Sequence, residues 1–117
     1  MAALQSSSSN TTHSSAPLAH IVFFTLNEPS EASREKLIDG CKRHLDNHDG
    51  LTFFGVGVNA PEYDRDVNDR DYDVALHLVF ATAKDQDAYQ TDPRHLEFLK
   101  ECKPLWKKVR VFDSSLK

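Results

Sequence analysis

An α+β layer structure, four antiparallel strands covered on one face by helices, is the fold class this sequence predicts, and three observations predict it. Residues 20–26 (HIVFFTL), 51–58 (LTFFGVGV) and 71–80 (DYDVALHLVF) are strand-length runs rich in β-branched and aromatic residues. Two segments with helical spacing, 31–46 and 82–103, separate them from one another and from a short last strand at 108–113. The resulting order is strand, helix, strand, strand, helix, strand. Right-handed crossovers then place both helices on the same side of one sheet, giving a ferredoxin-like βαββαβ sandwich.

Each element has a local reason. In 20–26, His20, Val22, Phe24 and Leu26 share one side of the strand, and Ile21, Phe23 and Thr25 share the other. Asn27-Glu28-Pro29 ends the strand, and Ser30 caps a helix whose apolar stripe is Leu37, Ile38, Cys41 and Leu45. Asn47-His48-Asp49-Gly50 stops that helix. In the second strand Gly55 and Gly57 predict a bulge or a tight bend. The third is expected to put Tyr72, Val74, Leu76, Leu78 and Phe80 on one face. Thr82-Ala83-Lys84-Asp85 reads as a capping box for the second helix. In the last strand Val109 and Val111 alternate with Arg110 and Phe112.

Residues 1–19 form a Ser-rich, uncharged island without periodicity, expected to be a disordered tail, leaving 20–117 as one domain. The balance of 14 Lys+Arg against 18 Asp+Glu, with no basic cluster, argues against nucleic acid as a partner. No apolar run is long enough to span a bilayer, and no secretory leader is apparent, so a cytoplasmic protein is expected. Cys41 and Cys102 have no metal-ligand spacing, and reduced thiols at apolar helix positions are expected. Antiparallel helices would put these two cysteines at opposite ends, excluding a disulfide. The Asp64-x-Asp66-x-Asn68 run imitates a calcium loop but lacks its glycine at 69 and its glutamate at 75. No metal site is expected.

The most informative stretch is 88–99 (AYQTDPRHLEFL), a helix that stops at Asp92-Pro93 and restarts. Proline lacks the N–H an interior position needs but suits a first helical turn, with Asp92 as its cap. His95 then falls at the third helical position, where the positive helix end disfavours imidazolium. The break brings the Tyr89 hydroxyl and the His95 imidazole toward one spot. Two readings stay open. The pair could act as proton acceptor and hydrogen-bond donor, or it could simply pack and bond to backbone to maintain the kink.

Helices on one side leave the other sheet face bare, and it is too apolar to stay in water: Ile21, Phe23, Ala75, Val79 and Phe112, interrupted by Asp73, His77 and Arg110. A homodimer packed through this sheet face is expected. On the helix side, His20, Val22, Phe24, Leu76, Leu78, Val109 and Val111 would line an apolar pocket with few polar groups, suited to a small apolar ligand.

The opening His20-Ile21-Val22-Phe23-Phe24, Tyr72-Asp73, Phe80, Ala88-Tyr89-Gln90, Asp92-Pro93-Arg94-His95 and Val111-Phe112-Asp113 together resemble the stress-responsive dimeric α/β-barrel (Dabb) family. The resemblance implies a dimeric α/β barrel of ferredoxin-like protomers and a role in stress response. It also implies similarity to a plant polyketide cyclase of that family, which needs no metal or organic cofactor. Its catalytic histidine and tyrosine correspond to His95 and Tyr89, and its first-strand pocket histidine to His20. Its third-strand histidine corresponds to Val74, so that part of the pocket is not reproduced. The expected function is binding of a small apolar ligand. The alternative is a cofactor-free cyclase or related enzyme with His95 as general base and Tyr89 as donor, and a cofactor-free monooxygenase of similar architecture is a third possibility.

Overall fold

The computed structural model describes residues 16–117. The expected Ser-rich tail lies, for residues 1–15, outside the described residues. The elements are β1 (Leu18–Leu26), α1 (Glu31–Leu45), β2 (Leu51–Val58), β3 (Val74–Phe80), α2 (Ala83–Gln90), α3 (Pro93–Cys102), a short 3-10 turn (Lys103–Leu105) and β4 (Trp106–Ser115). They build a four-stranded antiparallel sheet in the order β2-β3-β1-β4, with three helices on one face. This is the ferredoxin-like α+β fold expected from the sequence, the second expected helix being split into α2 and α3.

The alternation in β1 carries the core. Val22, Phe24 and Leu26 are buried under the helices together with Val74, Leu76, Leu78 and Phe80 of β3 and Leu37, Cys41 and Leu45 of α1. Phe98 of α3 and Trp106 of β4 close one end over Phe24, with Phe24 and Trp106 ring centres 4.7 Å apart. Ser30 caps α1 by accepting from the Ser33 backbone, and Ser33 answers with its own hydroxyl, so the reciprocal capping box is here. At α2 Thr82 does accept from the Asp85 N–H. The Asp85 carboxylate, however, receives the Thr82 hydroxyl instead of the cap's backbone.

Several expectations are corrected. β1 starts at Leu18 and β4 runs to Ser115, because the ends pair with each other: Leu18 stands opposite Ser115, and Leu116 N donates to Pro17 O at 2.8 Å. Leu18 and Ala19 therefore belong to the sheet, not to the tail. β3 starts at Val74, not at 71. The Asp73 carboxylate accepts from Leu26 N at 2.8 Å while Asp73 N donates to Phe24 O, so a side chain replaces a ladder bond at that end. The interruption turns Tyr72 to the outer face, where its ring meets Phe23 at 4.9 Å. The irregularity in β2 falls between Leu51 and Phe53, not at the glycines, and Thr52 Oγ1 donates there to Val79 O.

The cysteines are also placed differently. Both are buried and free, but they do not sit at opposite ends of the helix layer. The two helices cross where α1 has Gly40, and a methyl group added there would overlap the Cys102 sulfur. Each thiol is pushed above its ordinary range, chiefly by burial, and Cys102 is the second cause of the rise at Cys41. Arg43 and His44 reach from α1 to Glu101 of α3 across the same crossing.

Gly40 thus permits the close approach of α1 and α3. Alanine there would gain about 1 kcal/mol of helix propensity and lose about 1–3 kcal/mol to overpacking. Gly40→Ala should lower the melting temperature in the native background and become neutral or stabilising when combined with Cys102→Ala. Equal destabilisation in both backgrounds would refute the contact.

Candidate functional site

The break between α2 and α3 creates the site. Tyr89 is the last inward residue of α2, only 3% exposed, and its ring lies between Phe80, 5.1 Å away, and the residues that follow the break. Asp92 caps α3 through a 2.8 Å bond from Arg94 N, and Pro93 occupies the first helical turn. His95 is carried back toward the sheet on that turn, its ring edge-on to Tyr89 at 4.7 Å. His20 of β1 approaches the same tyrosine from below at 6.0 Å, and His48 from the side at 5.0 Å. Three imidazoles thus surround one phenol.

Each histidine is held differently. His20, 6% exposed, places Nδ1 2.5 Å from the Asp113 carboxylate, with the Gln86 side-chain amide 3.4 Å away. His48 Nε2 donates to the His44 carbonyl at 2.8 Å, and its Nδ1 lies 3.8 Å from Asp92. His95 Nδ1 is buried with no hydrogen-bond partner among the described residues. Its pKa is lowered, first by burial and then by His20 and His48, against a smaller opposing pull from the Gln90 backbone and Asp92. The imidazole is therefore neutral near pH 7. Burial raises the Tyr89 hydroxyl well above its ordinary range, so it is a proton donor and not a phenolate.

These groups sit at one end of a cavity of about 490 Å³ between the sheet and the α2–α3 pair, open over β4. Its floor is Val22, Phe24, Leu76, Val109 and Val111, and Phe98 and Trp106 wall its far end. Val109 and Val111 are exposed because, among the described residues, no helix covers the β4 edge of the sheet. Of the residues expected from the sequence, His20, Val22, Phe24, Leu76, Tyr89 and His95 all line this cavity. Leu78 does not: it is fully buried in the core and absent from the lining.

Sequence reasoning missed His48, Asp113 and Gln86. The sequence shows His48 only as part of the stop signal after α1, yet Asn47 in a left-handed turn (φ 62°) brings it against Tyr89. The signal for Asp113 was present. It shares a face with Val109 and Val111, and antiparallel pairing puts it opposite His20.

The family model described as the stress responsive A/B barrel domain matches residues 18–116. No curated protein matches the chain. A Dabb family protein with a ferredoxin-like fold from Mesorhizobium loti is 21% identical, with a TM-score of 0.72 over 87% of this chain and 98% of that one. A dimeric ferredoxin-like protein of unknown function from Thermobifida fusca is 19% identical, with a TM-score of 0.71 over 92% and 97%. The hydroxynitrile lyase from Passiflora edulis is 20% identical, with a TM-score of 0.70 over 89% and 96%. At these identities the solved structures establish the fold. The family match and the fold together make this chain a member of the stress-responsive A/B barrel (Dabb) domain family.

Proposed function

We propose that the protein binds a small, mainly apolar ligand in the cavity between its sheet and the α2–α3 pair, working as a homodimer joined through the outer sheet face. One observation carries the binding reading: a hydrophobic cavity of about 490 Å³ has polar side chains, His20, Tyr89 and His95 among them, gathered at one end. An apolar cavity with a few convergent polar groups is the usual form of a small-molecule site, the polar groups orienting the ligand.

The dimer reading rests on the opposite face. Phe53 and Phe112 are 56% and 53% exposed there, beside Ile21, Phe23 and Val79. His77 is exposed on the same face, and Arg110 sits over the Phe23 ring, so both would be polar inclusions in the interface. The Thermobifida fusca relative is described as dimeric. No helix among the described residues is long and apolar enough to cross a membrane, and a cytoplasmic setting remains part of this proposal.

A second reading, catalysis without a cofactor, is favoured by the pairing of a neutral imidazole with a protonated phenol, their ring centres 4.7 Å apart. His95 would take a proton next to a carbonyl, and Tyr89 would donate to the oxygen on which charge develops. That one of the similar structures is a lyase supports this reading. The monooxygenase alternative rests on likeness of fold alone.

Screening apolar carbonyl compounds for thermal stabilisation tests the binding reading, since a ligand at about ten times its Kd adds about 1.4 kcal/mol to stability. Binders should raise Tm by several degrees, and a Phe98→Ala variant should lose most of that shift. A panel that moves neither protein would sink the proposal. If the site is catalytic, His95→Gln abolishes turnover of a β-polyketide-type substrate with the dimer intact. Tyr89→Phe would reduce turnover by roughly 10²-fold. Phe112→Asp should convert a dimer to monomers in sedimentation; an unchanged dimer would move the interface elsewhere.

His95 also sets a pH dependence. The folded chain holds it neutral below the ordinary value of 6.5, so the unfolded chain binds more protons in that range. Its contribution is fully present above pH 6.5 and is lost as the pH falls below that value. Between pH 7 and pH 5, Tm should drop more steeply for the native protein than for His95→Gln, because His20, His48, Asp92 and Asp113 remain in both. Parallel curves would contradict a neutral, half-buried His95.

A further inference from the structure

The cavity is polarised along the strands, and this limits what can fill it. Its polar groups gather where β1 has His20 and β4 has Asp113, with Gln86, Tyr89 and His95 above them. Its aromatic groups gather where β1 has Phe24, with Phe98 and Trp106 around it. Four residues at about 3.3 Å each separate those ends by roughly 13 Å. Among the lining residues no Lys or Arg is present, and Asp113 is the sole carboxylate.

From this we infer, on the basis of the binding reading above, that the ligand is an uncharged amphiphile. Its hydroxyl or carbonyl head lies at the His20–Asp113 end and its aromatic or alkyl body lies against Phe24, Phe98 and Trp106. An anionic head of the same shape is rejected. A carboxylate or phosphate at the polar end has no lysine or arginine to receive it, and it faces Asp113 in a partly desolvated space. A hydroxyl or carbonyl carries no such charge, and the His20, Tyr89 and His95 side chains that line this end offer it hydrogen-bond partners. The sheet register fixes the orientation, since the carboxylate and the tryptophan stand on the same strand at opposite ends of the cavity.

The chain has one tryptophan, and it lines the apolar end, so its fluorescence reports occupancy directly. The experiment titrates the full chain at pH 8 with 3-phenylpropanol, 3-phenylpropanal and 3-phenylpropanoate, following Trp106 emission. The alcohol and aldehyde should bind at least about tenfold tighter than the carboxylate. Asp113→Asn should shrink that ratio several-fold. Should Asp113→Asn fail to fold, Val111→Lys serves instead: Val111 lines the cavity and is 49% exposed, so a lysine there supplies the missing counter-charge without burial. In that variant the preference should invert toward the carboxylate. Equal or tighter binding of the carboxylate by the native protein, or a ratio untouched by the folded variants, overturns the inference while leaving the cavity a ligand site. No change in Trp106 emission with any of the three compounds overturns the binding reading and this inference together.

Discussion

A proline cannot continue a helix from within, and the site depends on that constraint. Had 83–102 been one helix, a residue at position 93 lacking its N–H would have cost about 3 kcal/mol. Placed at the first turn of a new helix, it costs nothing of the kind, because that N–H has no intrahelical partner. Asp92 completes the exchange by accepting from Arg94 N, and its own N–H donates back to Tyr89 O at 3.2 Å. The chain therefore changes direction between two residues whose side chains both point at the sheet. Tyr89 lies in the last turn of one helix and His95 in the first turn of the next, and both line the cavity between helices and sheet.

The alternation of HIVFFTL, the capping serine at 30 and the Asp92-Pro93 break are local signals, and the elements they announced are present. What local pattern could not show was competition between distant groups. Asp73 looked like a strand residue until its carboxylate took the Leu26 N–H, 47 positions away in sequence, and this sent Tyr72 to the other face. Antiparallel helices suggested that Cys41 and Cys102 were far apart, but helices cross at an angle, and a glycine at the crossing lets them touch. In the site, Tyr89 and His95 were legible because one break positions both. His48 was not, since a left-handed turn after α1 places it, and Asp113 required the register of β4 against β1.

The loop between β2 and β3 explains why the outer face is only partly open. It leaves the β2 edge of the sheet and reaches the β4 edge, where Asp71 pairs with Lys108 at 2.7 Å and Asp69 with Arg110 at 3.2 Å. Arg110 also donates to the Asp71 carbonyl and lies 5.7 Å from the centre of the Phe23 ring. Tyr72 covers the same phenylalanine. The Phe23 region is thus covered by groups of its own chain, with exposed ion pairs that contribute little individually but fix the loop's path. Apolar area left over lies toward Phe53, Val79 and Phe112.

The same strands serve both faces, and this ties the cavity to the outer surface. In β4, Val111 and Asp113 look into the cavity while Arg110 and Phe112 look away; in β1, His20 and Val22 alternate with Ile21 and Phe23 in the same way. A one-residue slip of β4 would therefore exchange the two sets, putting Phe112 where Asp113 meets His20. What holds the register is continuous pairing from Leu18–Ser115 to Thr25–Lys108, with its irregularity confined to the stretch before Leu26. The His20–Asp113 contact is then more than a feature of the cavity. A buried imidazole and a partly exposed carboxylate that meet in only one register also disfavour every alternative pairing of the strand that carries them.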